Sequence, residues 1–162
     1  MWINKDNFNK NKNEHIFKNQ ATYDKIFKSA LSWHEKNPLA EVIVWYDSKM
    51  LSNTQKVPQW EGIIFKDVRA ENFPEMQDNE KAFSDTSPIF FRVDLLRAVI
   101  AYNTLKAKND RYFFVYADMD VATINKDELF DASTIMDLDT YGIVMARGGA
   151  EGLENSFQIW AN

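Results

Sequence analysis

Apolar positions along this 162-residue chain follow two alternating spacings. Short runs of β-branched and aromatic residues, the mark of strands, are separated by stretches with apolar residues three and four apart, the mark of helices. MWIN is short and apolar and reads as a first strand; the Asn- and Lys-rich NKDNFNKNKNEH behind it reads as loop. In ATYDKIFKSALSWHEKNP, residues Tyr23, Ile26, Phe27, Ala30, Leu31 and His34 fall at helical spacing. Asn37-Pro38 closes that helix, because the residue before a proline is pushed out of the α region. EVIVWYDS reads as a buried strand, and GIIFKDV as a second one after the turn-like VPQWEG. ENFPEMQDNEKAFSDTSP is acidic, carries two prolines and reads as a long surface loop. IFFRVDLLRAVIAYNTLKA is a helix with Pro88 just ahead of it. RYFFVYAD reads as a strand, INKDELFD as a short helix and YGIVMARGG as a last clear strand, broken by two glycines.

Strands alternating with helices predict an α/β domain with a mostly parallel sheet flanked by helices. The length fits one domain with a core of its own, and no repeat or internal linker interrupts it. Composition narrows the chemistry. A formal net charge of -5 argues against general affinity for nucleic acid or an anionic membrane. With no cysteines there are no disulfides, thiolate zinc sites or cysteine nucleophiles. Two histidines, His15 and His34, leave little material for histidine-based metal sites or triads. No apolar run is long enough to span a membrane, and no apolar stretch follows the charges of MWINKDNFNK as a secretory signal requires. A soluble protein is expected.

The sharpest chemical signal is RYFFVYADMDVAT, an apolar strand running into two aspartates. Residues two apart on a strand face one side, so Asp118 and Asp120 converge while Met119 points away. Like charges this close raise each other's cost unless a cation lies between them. Two hard oxygen ligands suit Mg²⁺ or Mn²⁺, ions that share their shell with phosphates. The bland reading is a solvated pair making a cap or turn, and on spacing alone it would win. In the preceding helix, Asp94 and Arg97 lie three apart on one face, beside the small Ala98 and Ala101. A solvated salt bridge is one reading. The other follows from a helix apolar nearly all round, hence buried, whose charges need partners and could hold a polar ligand.

RVDLLRAVIAYNTL followed by VYADMDVATINKDELFD resembles the sugar-binding region of glycosyltransferases with the GT-A fold. The closest pattern is that of the large clostridial glucosylating toxins and related bacterial effectors. It pairs an Asp-x-x-Arg helix with a strand ending in Asp-x-Asp and a short helix carrying Glu128-Leu129-Phe130 here. MWINK, VWYDSKMLSNT and GLENSF resemble further blocks of the family, so the resemblance covers nearly the whole chain in pieces. It implies a GT-A-like, Rossmann-type fold and a metal-dependent transfer of sugar from a nucleoside-diphosphate sugar to a protein or glycan acceptor. Trp2 would stack on the base, Asp94 and Arg97 would hold donor hydroxyls, and Asn155 would be the polar residue of the returning strand. Asp118 and Asp120 would bind donor and Mn²⁺ or Mg²⁺, with Asp120 the more direct ligand. Asp94, Arg97, Asp118 and Asp120 are thus the expected catalytic set, in a cytoplasmic protein or a secreted bacterial effector.

The chain departs from the family in two places. Lys108-Asn109-Asp110-Arg111 stands where a Gly-Gly usually precedes the Asp-x-Asp strand. Family members also continue well past the point matching Asn162, so residues 1–162 are expected to be the N-terminal part of a larger catalytic domain. Two alternatives stand beside the enzyme: a nucleotide-sugar-binding module without turnover, and, distantly, a haloacid-dehalogenase-type phosphohydrolase. The last opens on a similar Asp-x-Asp strand but wants threonine or valine at Ala122 and places the motif near the N-terminus. Elsewhere, Trp45, Trp60 and Trp160 read as packing, Trp33 and His34 as structural, Asp47-Ser48 as a cap, and Arg147-Gly148-Gly149 as a turn rather than an anion cradle.

Overall fold

A computed structural model describes residues 20–48, 59–84, 86–118, 121, 123–148 and 152–162. The described chain is mixed α/β and divides into two compact units. One holds described residues 20–72 and 123–125; the other holds the rest. The expected first strand at MWIN and its following loop lie outside the described residues.

The first unit is built on helix α1 (Gln20–Lys36) and strands β1 (Val42–Tyr46) and β2 (Ile63–Asp67). The two strands pair in parallel, Val42 opposite Ile63 through Tyr46 opposite Asp67. Val44 and Ile63 bury their side chains, and Ala30 and the fully enclosed Val68 join that core. Asn37 ends α1 as the sequence predicts: its backbone N–H bonds the Trp33 carbonyl at 3.0 Å, and its side-chain amide bonds the same carbonyl at 3.1 Å. That amide also reaches the Ile124 carbonyl at 3.1 Å, while the Lys36 ammonium bonds the Thr123 carbonyl at 2.8 Å. The end of α1 thus holds the segment 123–125 that follows the Asp-x-Asp motif. Gly62, at φ +79°, opens β2 where any Cβ would lie 2.3 Å from the His34 Nε2, so both backbone conformation and ring packing require glycine there.

At the carboxyl ends of β1 and β2, Asp47 is buried and takes the two-pronged guanidinium of Arg69 at 3.1 and 2.8 Å. Asp67 Oδ1 accepts the backbone N–H groups of Ser48 and Arg69 at 3.2 and 3.0 Å. Asp47 therefore serves an ion pair and Asp67 does the capping of Ser48; the segment that Asp47 was expected to cap lies outside the described residues.

The second unit opens with helix α2 (Pro74–Asp78), a short turn inside the acidic stretch expected to be loop. Helix α3 (Ile89–Lys106) follows, with Pro88 in the N-cap position. Strand β3 (Phe113–Ala117), helices α4 (Lys126–Leu129) and α5 (Ala132–Tyr141), and strands β4 (Ile143–Gly148) and β5 (Gly152–Ala161) complete it. The sheet order is β3-β5-β4 and every pairing in it is antiparallel. A mostly parallel sheet is thus not what the described strands form: only β1 and β2 run in parallel. For β4 and β5 the reason is their three-residue connection, since so short a link joins antiparallel neighbours whereas parallel strands need a crossover of a dozen residues or more. β5 then inserts between its hairpin partner and β3. Val93, Leu96, Ile100, Ala101, Leu105, Leu129, Leu138 and Ile159 form the unit's buried apolar side chains together with Phe73 and Phe83. No helix among the described residues is long and apolar enough to cross a membrane.

Candidate functional site

Helix α3 buries one face, and that face is not purely apolar. Arg92 and Arg97 are buried along with Val93, Leu96, Ile100 and Ala101, while Phe91 and Tyr102 stand half exposed and Asp94 is exposed. Arg97 is 7% exposed. Its Nη2 donates to the Asp94 Oδ1 at 2.6 Å, the i,i+3 pairing that the sequence predicts. Asp94 is the outer partner, with its side chain 49% exposed.

The other side of Arg97 meets β3. Its guanidinium carbon lies 4.5 Å from the centroid of the Tyr116 ring, within the range where a cation is attracted by the ring's negative face. Tyr116 and Asp118 are two apart and share a face of the strand, and the Tyr116 hydroxyl donates to the Asp118 Oδ1. Asp118 lies just past the carboxyl end of β3; its backbone N–H bonds the Ser156 carbonyl on β5 at 2.7 Å. A continuous series therefore runs Asp94, Arg97, Tyr116, Asp118, from helix to strand end. Gln158 stands opposite Tyr116 on β5, buried, and accepts the Trp160 indole N–H at 3.1 Å.

Burial pushes the Tyr116 hydroxyl well above the ordinary tyrosine value. The hydrogen bond to Asp118 and that carboxylate's charge push the same way, Arg97 opposes them, and Asp94 adds a smaller upward push. The phenol is thus held protonated as a donor to Asp118.

Of the residues singled out from sequence, Asp94, Arg97 and Asp118 are brought together in this unit. Trp2, Asp120 and the side chain of Asn155 lie outside the described residues. Among the described residues no group of three or more acidic or histidine side chains converges. Asp118 is the described carboxylate of the motif, a hard oxygen donor of the type a divalent ion takes, and the Tyr116 hydroxyl engages one of its oxygens. Sequence reasoning misses Tyr116 and Gln158. A signal for Tyr116 is present: a polar aromatic two residues before Asp118, on the same face. Gln158 carries no signal short of knowing the register.

No family model, no curated protein and no solved structure matches this chain significantly.

Proposed function

We propose that this chain is the donor-binding part of a metal-dependent glycosyltransferase that moves a sugar from a nucleoside-diphosphate sugar to an acceptor. The observation that carries the reading is the contact series from Asp94 and Arg97 to Asp118. Two motifs about 20 residues apart in sequence, each weak alone, meet across one aromatic ring. The GT-A-like fold is part of the proposal; the parallel pairing of β1 with β2 supports it.

In this reading Asp94, the outer partner, and Arg97, behind it, hold hydroxyls of the donor sugar. Asp118 and Asp120 hold Mn²⁺ or Mg²⁺ against the diphosphate, and Trp2 stacks on the base. A divalent ion, when bound, stabilises the negative charge that develops on the leaving nucleoside diphosphate. Arg97 sets a planar guanidinium beside the sugar, and Tyr116 keeps the Asp118 carboxylate oriented by donating to Oδ1. A binding module without turnover uses the same residues; release of free sugar or transfer to an acceptor separates the two.

A thermal-shift screen of nucleoside diphosphates and nucleotide sugars, with and without Mn²⁺, tests the reading. A ligand present at a hundredfold its Kd stabilises the native state by about 2.7 kcal/mol, a readily measured rise in midpoint that should require the metal. Failure of every nucleotide to raise the midpoint in the presence of Mn²⁺ overturns it.

A further inference from the structure

We infer that Tyr116 is a positioning residue that couples Arg97 to the Asp118 carboxylate, so that the sugar-holding and metal-holding halves of the site act on each other through one ring. The inference rests on the glycosyltransferase reading above and deepens it. Three contacts carry it. The Tyr116 hydroxyl donates to Asp118 Oδ1, which fixes the rotation of that carboxylate. The Arg97 guanidinium covers the same ring at 4.5 Å. Arg97 is itself buried along α3 and bonded to Asp94 at 2.6 Å.

Each end of the series is anchored. Asp118 is tied into the sheet through its backbone bond to Ser156. Arg97 belongs to an 18-residue helix whose neighbouring side chains Leu96, Ile100 and Ala101 are buried. Between these anchored backbones the contacts run from guanidinium to ring to hydroxyl to carboxylate, so a reorientation of the guanidinium would reach the carboxylate through the Tyr116 side chain. A donor sugar drawn onto Asp94 and Arg97 would then change how well Asp118 is set for a divalent ion. Coupling of binding free energies is reciprocal, so a bound ion would strengthen the sugar contacts by the same factor. Groups that orient a metal ligand from behind commonly contribute about 10- to 100-fold in metal affinity.

The test is Mn²⁺ binding to the full chain, Mn²⁺ alone, followed by water-proton relaxation. Tyr116→Phe removes only the hydroxyl and should weaken Mn²⁺ binding about tenfold. Arg97→Lys keeps the charge but loses the planar stack; it should weaken Mn²⁺ binding by less, and should cause no further loss in a Tyr116→Phe background. If the parent binds no Mn²⁺, the glycosyltransferase reading and the coupling fall together. If the parent binds Mn²⁺ and Tyr116→Phe binds it equally well, the coupling alone is overturned. Losses that simply add in the double variant show that Arg97 does not act through Tyr116, which also overturns it. Should Tyr116→Phe fail to fold, Arg97→Lys carries the test with the hydroxyl intact, and unchanged Mn²⁺ affinity there refutes the coupling.

Discussion

Arg97 and Asp94 form an unequal pair: 2.6 Å apart, the arginine is 7% exposed and the aspartate 49%. A solvated surface bridge would leave both ends wet. Here the cation is withdrawn beneath the surface and the carboxylate faces solvent, where in the proposed function it meets a sugar hydroxyl. Asp94→Asn leaves the buried Arg97 without that carboxylate, so it should cost more stability than the roughly 1 kcal/mol of an exposed ion pair. Asp94→Asn and Arg97→Lys should each weaken nucleotide-sugar binding more than binding of the bare nucleoside diphosphate. Calorimetric titration of both ligands measures this, and equal losses for the two would assign the pair a purely structural role.

A second charged pair lies in the first unit and has a different purpose. Asp47 is buried and receives both prongs of Arg69. Removing one partner of a buried pair leaves the other uncompensated. Asp47→Asn should therefore lower stability by about 3 kcal/mol, the low end of the usual range because Arg69 is a quarter exposed. The double variant Asp47→Asn/Arg69→Met should recover part of that loss. Denaturant melts of the three proteins decide; a double variant as damaged as the sum of its parts would contradict this account.

Helix α5 supplies a pH signature. Asp131 caps it, accepting the Thr134 N–H at 2.7 Å, and that bond holds its carboxyl below the usual value of 3.8. A carboxyl depressed on folding stabilises above its unfolded value, and the contribution is lost as pH falls through the folded one. Asp131→Asn keeps a capping oxygen but does not titrate. The melting midpoints of parent and variant should differ more near neutrality than in acid, the gap closing below about pH 4. A gap that stays constant down to about pH 2 would show that the cap contributes nothing through its charge.

Strong periodicity makes α1, α3 and the strands β1, β2 and β3 legible in the amino-acid sequence. Helix α5 is harder to read because ASTIMDLDTY follows INKDELFD with no break, although Asp131 caps its start and Gly142, at φ 72°, ends it. Polar residues hide the full length of β5: Gln158 is buried at the middle of the sheet, where hydropathy predicts an apolar side chain. The antiparallel pairing of β4 with β5 follows from their short connection rather than from any residue pattern. In α3 the faces are exchanged relative to hydropathy, with Arg92 and Arg97 buried while Phe91 and Tyr102 are half exposed. That exchange makes the helix read as buried on all sides. Spacing alone pairs Asp94 with Arg97. It does not reveal their link to Asp118 through Tyr116, which depends on where α3 crosses β3.

The central claim is that the two aspartates of the Asp-x-Asp motif tolerate each other because a divalent ion and a diphosphate complete the site. Calorimetric titration of Mn²⁺ with each ribonucleoside diphosphate into the parent and Asp120→Asn, alongside metal-free melting curves, tests it most directly. Losing one of two like charges removes repulsion in the metal-free protein. Asp120→Asn should accordingly abolish metal-dependent nucleotide binding while its metal-free midpoint stays equal to the parent's or rises. Nucleotide binding in the parent that is indifferent to Mn²⁺, or a variant that binds as the parent does, would contradict the account.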